Sequence, residues 1–243
     1  MMRYGIFADV HSNLEALEAV VNAYRNESID KYLCLGDVVG YAANPKECID
    51  KVRALVMITV AGNHDWASVN LFSGDYFNPV ARKAIFWTKR NLDEKDIFFL
   101  ESLKLTFKNE DLTLVHGTLD KPQDFDYMTD GYIAKETFRL LETNVCFVGH
   151  SHVAGIFIKD KYENIGYRQD SSIDIKEDNK YIVNVGSVGQ PRDGTPQAAY
   201  CIYDTDKKEV QIKRVSYDIQ TTREKIIAVG LPRLLGDRLA MGR

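Results

Sequence analysis

The sequence lacks the long apolar segment that a membrane-spanning protein needs. No stretch of its 243 residues approaches the roughly 18 consecutive apolar residues of a transmembrane helix. The amino-terminal stretch MMRYGIFADVH also lacks the apolar core of a signal peptide. The sequence also lacks an excess of positive charge, because its 31 Lys and Arg residues against 35 Asp and Glu residues give a formal net charge of −4. We therefore predict a cytoplasmic protein with no membrane contact and no extensive nucleic-acid-binding face.

Cysteine and histidine are both rare. The four cysteines form no Cys-x-x-Cys pair, and Cys34, Cys146 and Cys201 lie inside apolar runs. This pattern favours reduced core residues over disulfide bonds or a thiolate metal site. The histidines are more informative, because all five follow the apolar runs that we interpret as strands. They are His11, His64, His116, His150 and His152.

The order of the apolar runs predicts the fold class. In the first half, the buried strands YGIFAD, KYLCLGD and LVMITVAGN alternate with helical patterns, which is typical of a parallel sheet with helical crossovers. From Ala154 onward, short strands separated by polar turns indicate an antiparallel region. The polar segment 163–178 is predicted to be a long hairpin or a mobile loop. The length favours a single α/β domain over residues 1–243, with a peripheral tail over 230–243.

Metal-competent side chains follow five of the predicted strands. The carboxyl ends of parallel strands meet at one edge of an α/β sheet, where ligands bind. A single histidine after a strand is usually a structural residue, but five such segments predict a common site. The segments are Asp9-Val10-His11, Gly36-Asp37, Gly62-Asn63-His64-Asp65, His116-Gly117 and Gly149-His150-Ser151-His152.

The residue types at these strand ends suit a pair of transition-metal ions. Imidazole binds zinc, manganese, iron and cobalt, and carboxylates suit the harder of these metals. Two cations roughly 3.5–4 Å apart need a shared ligand. We predict that Asp37 bridges them, since a carboxylate can offer one oxygen to each metal. The amide oxygen of Asn63 would add a neutral ligand.

Taken together, the five segments resemble the signature blocks of the calcineurin-like metallophosphoesterases. The resemblance extends from Met2 to about Tyr217. The late segment NVGSVGQPRDGTPQAAYCIYD resembles the small prokaryotic members that are phosphodiesterase-like or related to diadenosine tetraphosphatases. This resemblance implies an α/β fold, a four-layer αββα sandwich with two mixed central β-sheets, and a dinuclear metal site.

Carried over position by position, the resemblance implies two ligand sets that share one residue. The first set is Asp9, His11, Asp37 and His152. The second set is Asp37, Asn63, His116 and His150. The ions would be two divalent or trivalent cations, with manganese, iron, zinc and cobalt all compatible and manganese the expected activator in vitro.

The same resemblance leaves His64 free of metal. It would act beside the substrate as a general acid or phosphate ligand, with Asp65 as the second catalytic residue that orients its ring. Asn63 and Arg192 are predicted to bind substrate together with His64. Lys121 is the alternative cation for a phosphate contact, and Arg192 is favoured because it lies in a Gly/Pro-rich loop after a strand. Tyr41 either lines the entrance or is an exposed residue without a role.

The predicted activity is hydrolysis of small phosphodiesters or dinucleoside polyphosphates by a hydroxide that bridges two metals. The alternatives are a phosphomonoesterase or nucleotidase of the same fold, and a non-catalytic binding module. The stretches GDVVGYAANP and GNHDWASVN contain no arginine, unlike the protein serine/threonine phosphatases of the superfamily, which argues against a phosphoprotein substrate. The expected partner is a small phosphorylated substrate, and a homodimer is left open.

Overall fold

Two six-stranded β-sheets form the centre of the protein, whose computed structural model describes residues 2–243. Their order is β3-β2-β1-β11-β12-β9 in the first sheet and β4-β5-β6-β10-β7-β8 in the second. The strands are β1 (Arg3–Phe7), β2 (Lys31–Cys34), β3 (Ile58–Thr59), β4 (Thr106–Lys108), β5 (Thr113–Val115), β6 (Val145–Val148), β7 (Gly155–Lys159), β8 (Ile165–Arg168), β9 (Ser172–Asp174), β10 (Lys180–Asn184), β11 (Ala198–Asp204) and β12 (Glu209–Val215).

Helices cover the outer faces of the sheets and connect the strands. They are α1 (Leu14–Tyr24), α2 (Pro45–Leu55), α3 (Asn63–Ser68), α4 (Pro79–Asn91), α5 (Glu94–Ser102), α6 (Gly131–Leu140), α7 (Ile219–Ala228) and α8 (Arg233–Asp237). Short 3-10 turns occur at Gly74–Tyr76, Pro122–Asp124 and Leu239–Met241. No helix within residues 2–243 is both long and apolar enough to cross a membrane.

Both sheets are mixed. In the first sheet β1 is parallel to β2 and antiparallel to β11. In the second sheet β10 is parallel to β6 and antiparallel to β7. Side chains alternate along each strand, so Ile6 of β1 packs between the two sheets and Phe7 packs beneath α1 and α2. Helix α6 covers the outer face of the second sheet through Phe138. The predicted αββα sandwich is therefore confirmed.

The polar segment 163–178 is neither an independent hairpin nor a loop. It contains β8, which pairs with β7 in the second sheet, and β9, which pairs with β12 in the first. The segment therefore crosses from one sheet to the other. Both strands lie at sheet edges, and most residues of β8 are exposed, which explains why the sequence shows no apolar alternation there.

The carboxyl-terminal tail is not peripheral, so that prediction for residues 230–243 is wrong. Leu231 precedes α8, Leu235 lies within it, and Leu239 begins the 3-10 turn that follows. Leu235 is 0% and Leu239 is 2% exposed. They pack in a cluster with residues of α4 and α7 and with Tyr41. This packing brings the tail next to the loop that follows β2.

The carboxyl ends of the parallel strands lie side by side and are joined by backbone hydrogen bonds. The N–H of Asp9, after β1, donates to the carbonyl of Gly36, after β2, at 3.0 Å. The N–H of Gly149, after β6, donates to the carbonyl of His116, after β5, at 2.9 Å. The N–H of Gly189, after β10, reaches across to the carbonyl of Asp9 at 2.8 Å. The ends of both sheets are therefore held as one rim.

Candidate metal centre and its pocket

The loops on this rim hold their polar residues in an unusual backbone conformation. A left-handed conformation costs of order 1–3 kcal/mol at a non-glycine residue. The hydrogen bonds between the loops offset this cost. Five of the predicted ligands have φ between 50° and 65°, namely Asp9, His11, Asp37, His150 and His152.

The predicted ligand side chains form two buried groups that share one carboxylate. In each group, the ligand atoms lie within 4.8 Å of one another. The first group is Asp9, His11, Asp37 and His152, and the second is Asp37, His116 and His150. Asn63, the remaining predicted ligand, lines the adjoining pocket together with His150. Within residues 2–243 its amide oxygen is buried without a hydrogen-bond partner.

Asp37 lies between the two groups, but only one of its oxygens faces both. Oδ2 is 3.5 Å from Nε2 of His11 and 3.4 Å from Nε2 of His116. Oδ1 accepts a hydrogen bond from the N–H of His64 at 2.9 Å. Oδ1 retains a lone pair beside this hydrogen bond, so the assignment of one oxygen to each metal stays a prediction. In this geometry Oδ2 is the atom that faces both groups.

Backbone carbonyl groups determine how three of the histidine rings are oriented. Nδ1 lies 3.2, 2.6 and 2.6 Å from a carbonyl oxygen in the pairs His11–Val39, His116–Leu35 and His152–Gln190. A carbonyl oxygen can only accept, so Nδ1 carries the proton in each pair. Nε2 then points towards the centre of the site. Such second contacts are typical of histidines that bind a metal.

The donor atoms of this site fit divalent cations. Burial lowers the pKa of His11 and of His152 well below the usual value, so both rings are neutral. Their Nε2 atoms are only 3.0 Å apart, and two lone pairs this close repel each other unless a cation lies against them. Within residues 2–243, the buried carboxylates of Asp9 and Asp37 pair with histidines and with no lysine or arginine. Buried carboxylates need a compensating positive charge, which divalent cations would provide here.

The pKa of His116 also indicates that the carboxylates of this site favour a positive charge beside them. Burial lowers its pKa, but the carboxylates of Asp37 and Asp9 outweigh burial and raise it to about 9. Nε2 therefore keeps a proton in the metal-free protein and lies 3.1 Å from Nδ1 of His150. Because a metal ligand must be deprotonated, binding of a cation would release this proton.

His64 lies outside both ligand groups. Its ring is 3% exposed and packs against the rings of Tyr41, Phe77 and His11, with centroids 4.4, 4.8 and 4.8 Å away. Nδ1 has no hydrogen-bond partner in the described chain. Burial lowers the pKa of His64 to about 4, so the ring is neutral at neutral pH until an anion binds beside it.

Asp65 does not orient His64, and that prediction is wrong. Its Oδ1 accepts from the N–H of Val39 and its Oδ2 from the N–H of Gly62, each at 3.1 Å. The carboxylate therefore ties the loop after β2 to the start of α3. The two residues are neighbours in sequence, but their side chains leave the first turn of α3 in different directions.

A cavity of about 330 Å³ opens beside the ligand groups. Arg192 lines it, as does Tyr41, which is buried. The guanidinium of Arg192 donates to the Tyr41 hydroxyl at 3.1 Å and its carbon lies 5.8 Å from the ring centroid. The structure thus brings together every predicted ligand and substrate-binding residue, with Asp65 behind them.

The comparisons with known proteins agree with this architecture. A family model described as the calcineurin-like phosphoesterase superfamily domain matches residues 2–208. The chain belongs to this superfamily. The predicted family is thereby confirmed, and the protein is a metal-dependent phosphoester hydrolase.

Three known proteins align with this phosphoesterase over almost the full length of both chains. Protein MJ0912 of Methanocaldococcus jannaschii is 41% identical over 242 residues, which cover 98% of this chain and 97% of that protein. The crystal structure of a metallophosphoesterase from Sphaerobacter thermophilus is 40% identical and covers 100% of this chain and 99% of its own, with a TM-score of 0.89. Hypothetical protein PH1004 from Pyrococcus horikoshii shares the fold at 18% identity, with coverages of 100% and 99% and a TM-score of 0.79.

Sequence reasoning missed three residues of the phosphoesterase site. The Gln190 carbonyl holds the His152 ring, and its place in the stretch NVGSVGQPR was a usable signal. Tyr127 stacks on His150 with centroids 3.9 Å apart. Arg238, in the tail, lines the same pocket as Arg192. Neither Tyr127 nor Arg238 follows a strand, so no sequence pattern indicated them.

Gly40 packs against the ring of His64, so a side chain at residue 40 would test the importance of the position of that ring. An added Cβ would lie 2.5 Å from Nδ1 of His64, and φ is +104°. We expect Gly40→Ala to cost about 1–2 kcal/mol of stability and to lower kcat by about 10²-fold through displacement of the ring. Gly230→Ala is the control, since φ is +79° and nothing lies within 4 Å. Thermal unfolding and steady-state kinetics measure both effects, and unchanged turnover in Gly40→Ala would contradict the expectation.

Proposed function

We propose that this phosphoesterase hydrolyses small phosphodiesters or dinucleoside polyphosphates at the rim where the two ligand groups meet. The observation that carries the proposal is the single oxygen of Asp37 facing both groups, beside a cavity that also contains His64 and Arg192. Aromatic side chains line this cavity and offer apolar surface to the organic groups of a substrate. They are Tyr41, Phe72, Tyr76, Phe77, Phe125 and Tyr127.

The two groups, with Asn63, would hold a pair of divalent cations. When bound, such cations acidify a water molecule and offset charge on phosphoryl oxygens. The rigid histidine orientations and the buried carboxylate of Asp37 would keep the donor atoms in place without reorganisation. We propose manganese as the activating ion, because a mixed set of nitrogen and oxygen donors suits it. The free, buried cysteines favour a reducing, cytoplasmic location.

The remaining roles fall to His64 and Arg192. An anionic substrate beside His64 would raise its lowered pKa and let the ring carry a proton. As the bond from the water oxygen to phosphorus forms and the bond to the leaving oxygen breaks, His64 would give that oxygen its proton. Arg192 would hold a phosphoryl oxygen, because a guanidinium forms strong, directed hydrogen bonds with phosphate.

Metal removal and a matched pair of substrates test this function. The protein is treated with a chelator, dialysed, and assayed with bis(p-nitrophenyl) phosphate and p-nitrophenyl phosphate before and after manganese is added. We expect no turnover without metal, restored turnover with manganese, and a higher kcat/KM on the diester. A higher kcat/KM on the monoester would instead support a phosphomonoesterase. No turnover on either compound, with two metal ions bound per chain, would favour a binding module.

A further inference from the structure

Two arginines line the substrate cavity, and neither forms an ion pair with an aspartate or glutamate in the described part of the chain. Arg192 donates to the side-chain oxygens of Tyr41 and Gln190, at 3.1 and 3.3 Å. Nε of Arg238 donates to a carboxylate oxygen of Arg243, the last residue of the sequence. Within residues 2–243, no aspartate or glutamate oxygen lies within 4.0 Å of either guanidinium. Nε of Arg192 is buried and has no hydrogen-bond partner in this part of the chain.

Other partly buried arginines of the protein are paired. The Arg3 side chain is 23% exposed and lies 2.7 Å from Asp204. The Arg214 side chain is 22% exposed and pairs with Asp193. Arg192, which pairs with no carboxylate, is therefore the exception among them within residues 2–243. Its positive charge, with that of Arg238 at the same cavity, indicates that an anion from outside compensates it.

The Arg192 guanidinium lies on the side of the cavity nearest the first ligand group. The Arg192 guanidinium lies over the ring of Tyr41, and that ring is 4.4 Å from the rings of both His11 and His64. Arg238 reaches the cavity because α8 packs against the cluster that contains Tyr41. Burial and the charge of Arg192 both lower the pKa of Arg238, in keeping with the position of both residues at one cavity.

The opposite charge lies near the second ligand group. Asp124 and Asp126 also line the cavity and are exposed. They flank Phe125, whose ring centroid is 5.9 Å from that of His116. A chain of phosphate groups that starts at the metal centre would be repelled on this side and attracted towards Arg192 and Arg238.

We propose that Arg192 and Arg238 together bind a second phosphate group, adjacent to the phosphate that is hydrolysed. Arg238 is then a specificity-determining residue, supplied by the carboxyl-terminal tail, that favours substrates with a phosphoanhydride over single-phosphate diesters. This inference rests on the proposed phosphoesterase function of the same rim. It assigns to the tail a role that neither the ligand groups nor the family match explains.

The test compares two nucleoside substrates that differ in phosphate number. They are diadenosine tetraphosphate and the p-nitrophenyl ester of thymidine 5′-monophosphate, assayed with the manganese-loaded full chain. We expect Arg238→Gln to lower kcat/KM on the tetraphosphate by about 10- to 100-fold, mostly through KM. The loss on the single-phosphate ester should be at least tenfold smaller. Arg238→Lys, which keeps the charge, should recover part of the loss.

Arg233→Gln is the matched control. Arg233 begins α8, the helix that Arg238 directly follows, but it is exposed and pairs with Asp237 at 3.2 Å. We expect this variant to match the wild type on both substrates. Thermal unfolding of both variants shows whether α8 still packs. Equal losses on the two substrates in a folded Arg238→Gln protein would overturn the proposal.

A binding measurement separates this inference from the proposed catalytic function. Tripolyphosphate and inorganic phosphate are titrated into the manganese-loaded wild type, Arg238→Gln and Arg233→Gln by calorimetry. We expect the preference for tripolyphosphate to fall at least about tenfold in Arg238→Gln only. If the wild type hydrolyses nothing but shows this pattern, the catalytic proposal fails and the second-phosphate site stands. If the wild type hydrolyses substrates but Arg238→Gln keeps the full preference for tripolyphosphate, the catalytic proposal stands and the second-phosphate site fails.

Discussion

Asp37→Asn is expected to lower kcat/KM by about 10³-fold, because a charge shared by two cations is worth several kcal/mol. The substitution removes the negative charge of Oδ2, which faces both ligand groups. It keeps the size of the side chain and an oxygen that can still accept from the N–H of His64. The fold should therefore persist while both metals weaken together.

Metal content and activity check this expectation together. After dialysis, elemental analysis should find fewer metal ions per chain than in the wild type, and the missing activity should return in part at high manganese concentration. Asp218→Asn is the control for the same chemical change. Asp218 caps α7 at the surface, where asparagine is an equally good cap. Full metal content with near-normal turnover in Asp37→Asn would refute the shared role.

Replacement of His64 should have the second large effect, and it should act on rate alone. His64 belongs to neither ligand group, so His64→Ala should retain its metals. Loss of a general acid typically lowers kcat by about 10²- to 10⁴-fold. The ring packs against Tyr41 and Phe77, so the Ala variant also opens a cavity. His64→Gln, which nearly fills the space, separates the loss of packing from the loss of the proton.

The leaving group distinguishes the two roles open to His64. p-Nitrophenolate departs readily without a proton, whereas phenolate benefits from one. We expect the loss of kcat to be larger on the phenyl ester of thymidine 5′-monophosphate than on its p-nitrophenyl ester. Equal losses would make His64 a phosphate ligand and not an acid. Full activity on both esters would remove it from the mechanism. All five histidines of the chain lie in the site. No histidine elsewhere can therefore serve as a matched control, and His64→Gln takes that place.

Much of the metal centre could be predicted from the sequence. Each ligand is encoded next to the strand that positions it, as in Asp9-Val10-His11 after β1 and His150-Ser151-His152 after β6. Parallel strands deliver their carboxyl ends to one rim. The identities of the donors and the approximate meeting place therefore follow from local patterns.

Which group each carboxylate oxygen contacts could be seen only in the tertiary structure. Oδ1 of Asp37 accepts from the N–H of His64, and the carboxylate of Asp65 from two other backbone N–H groups. These bonds join loops from different strands, and their directions depend on left-handed residues such as Asp37 itself. Sequence spacing specifies which residues are neighbours, but it does not specify which way a carboxylate turns.

The family, the sandwich and the set of side chains that meet at the rim could be predicted from local patterns, because strand periodicity and strand-end chemistry are local properties. The surroundings of the rim depend instead on long-range packing. Arg238 follows no strand and belongs to no motif, and it reaches the cavity because Leu235 and Leu239 are buried against α4 and α7. Such packing between distant segments depends on shape complementarity across the whole fold, which a linear pattern does not record.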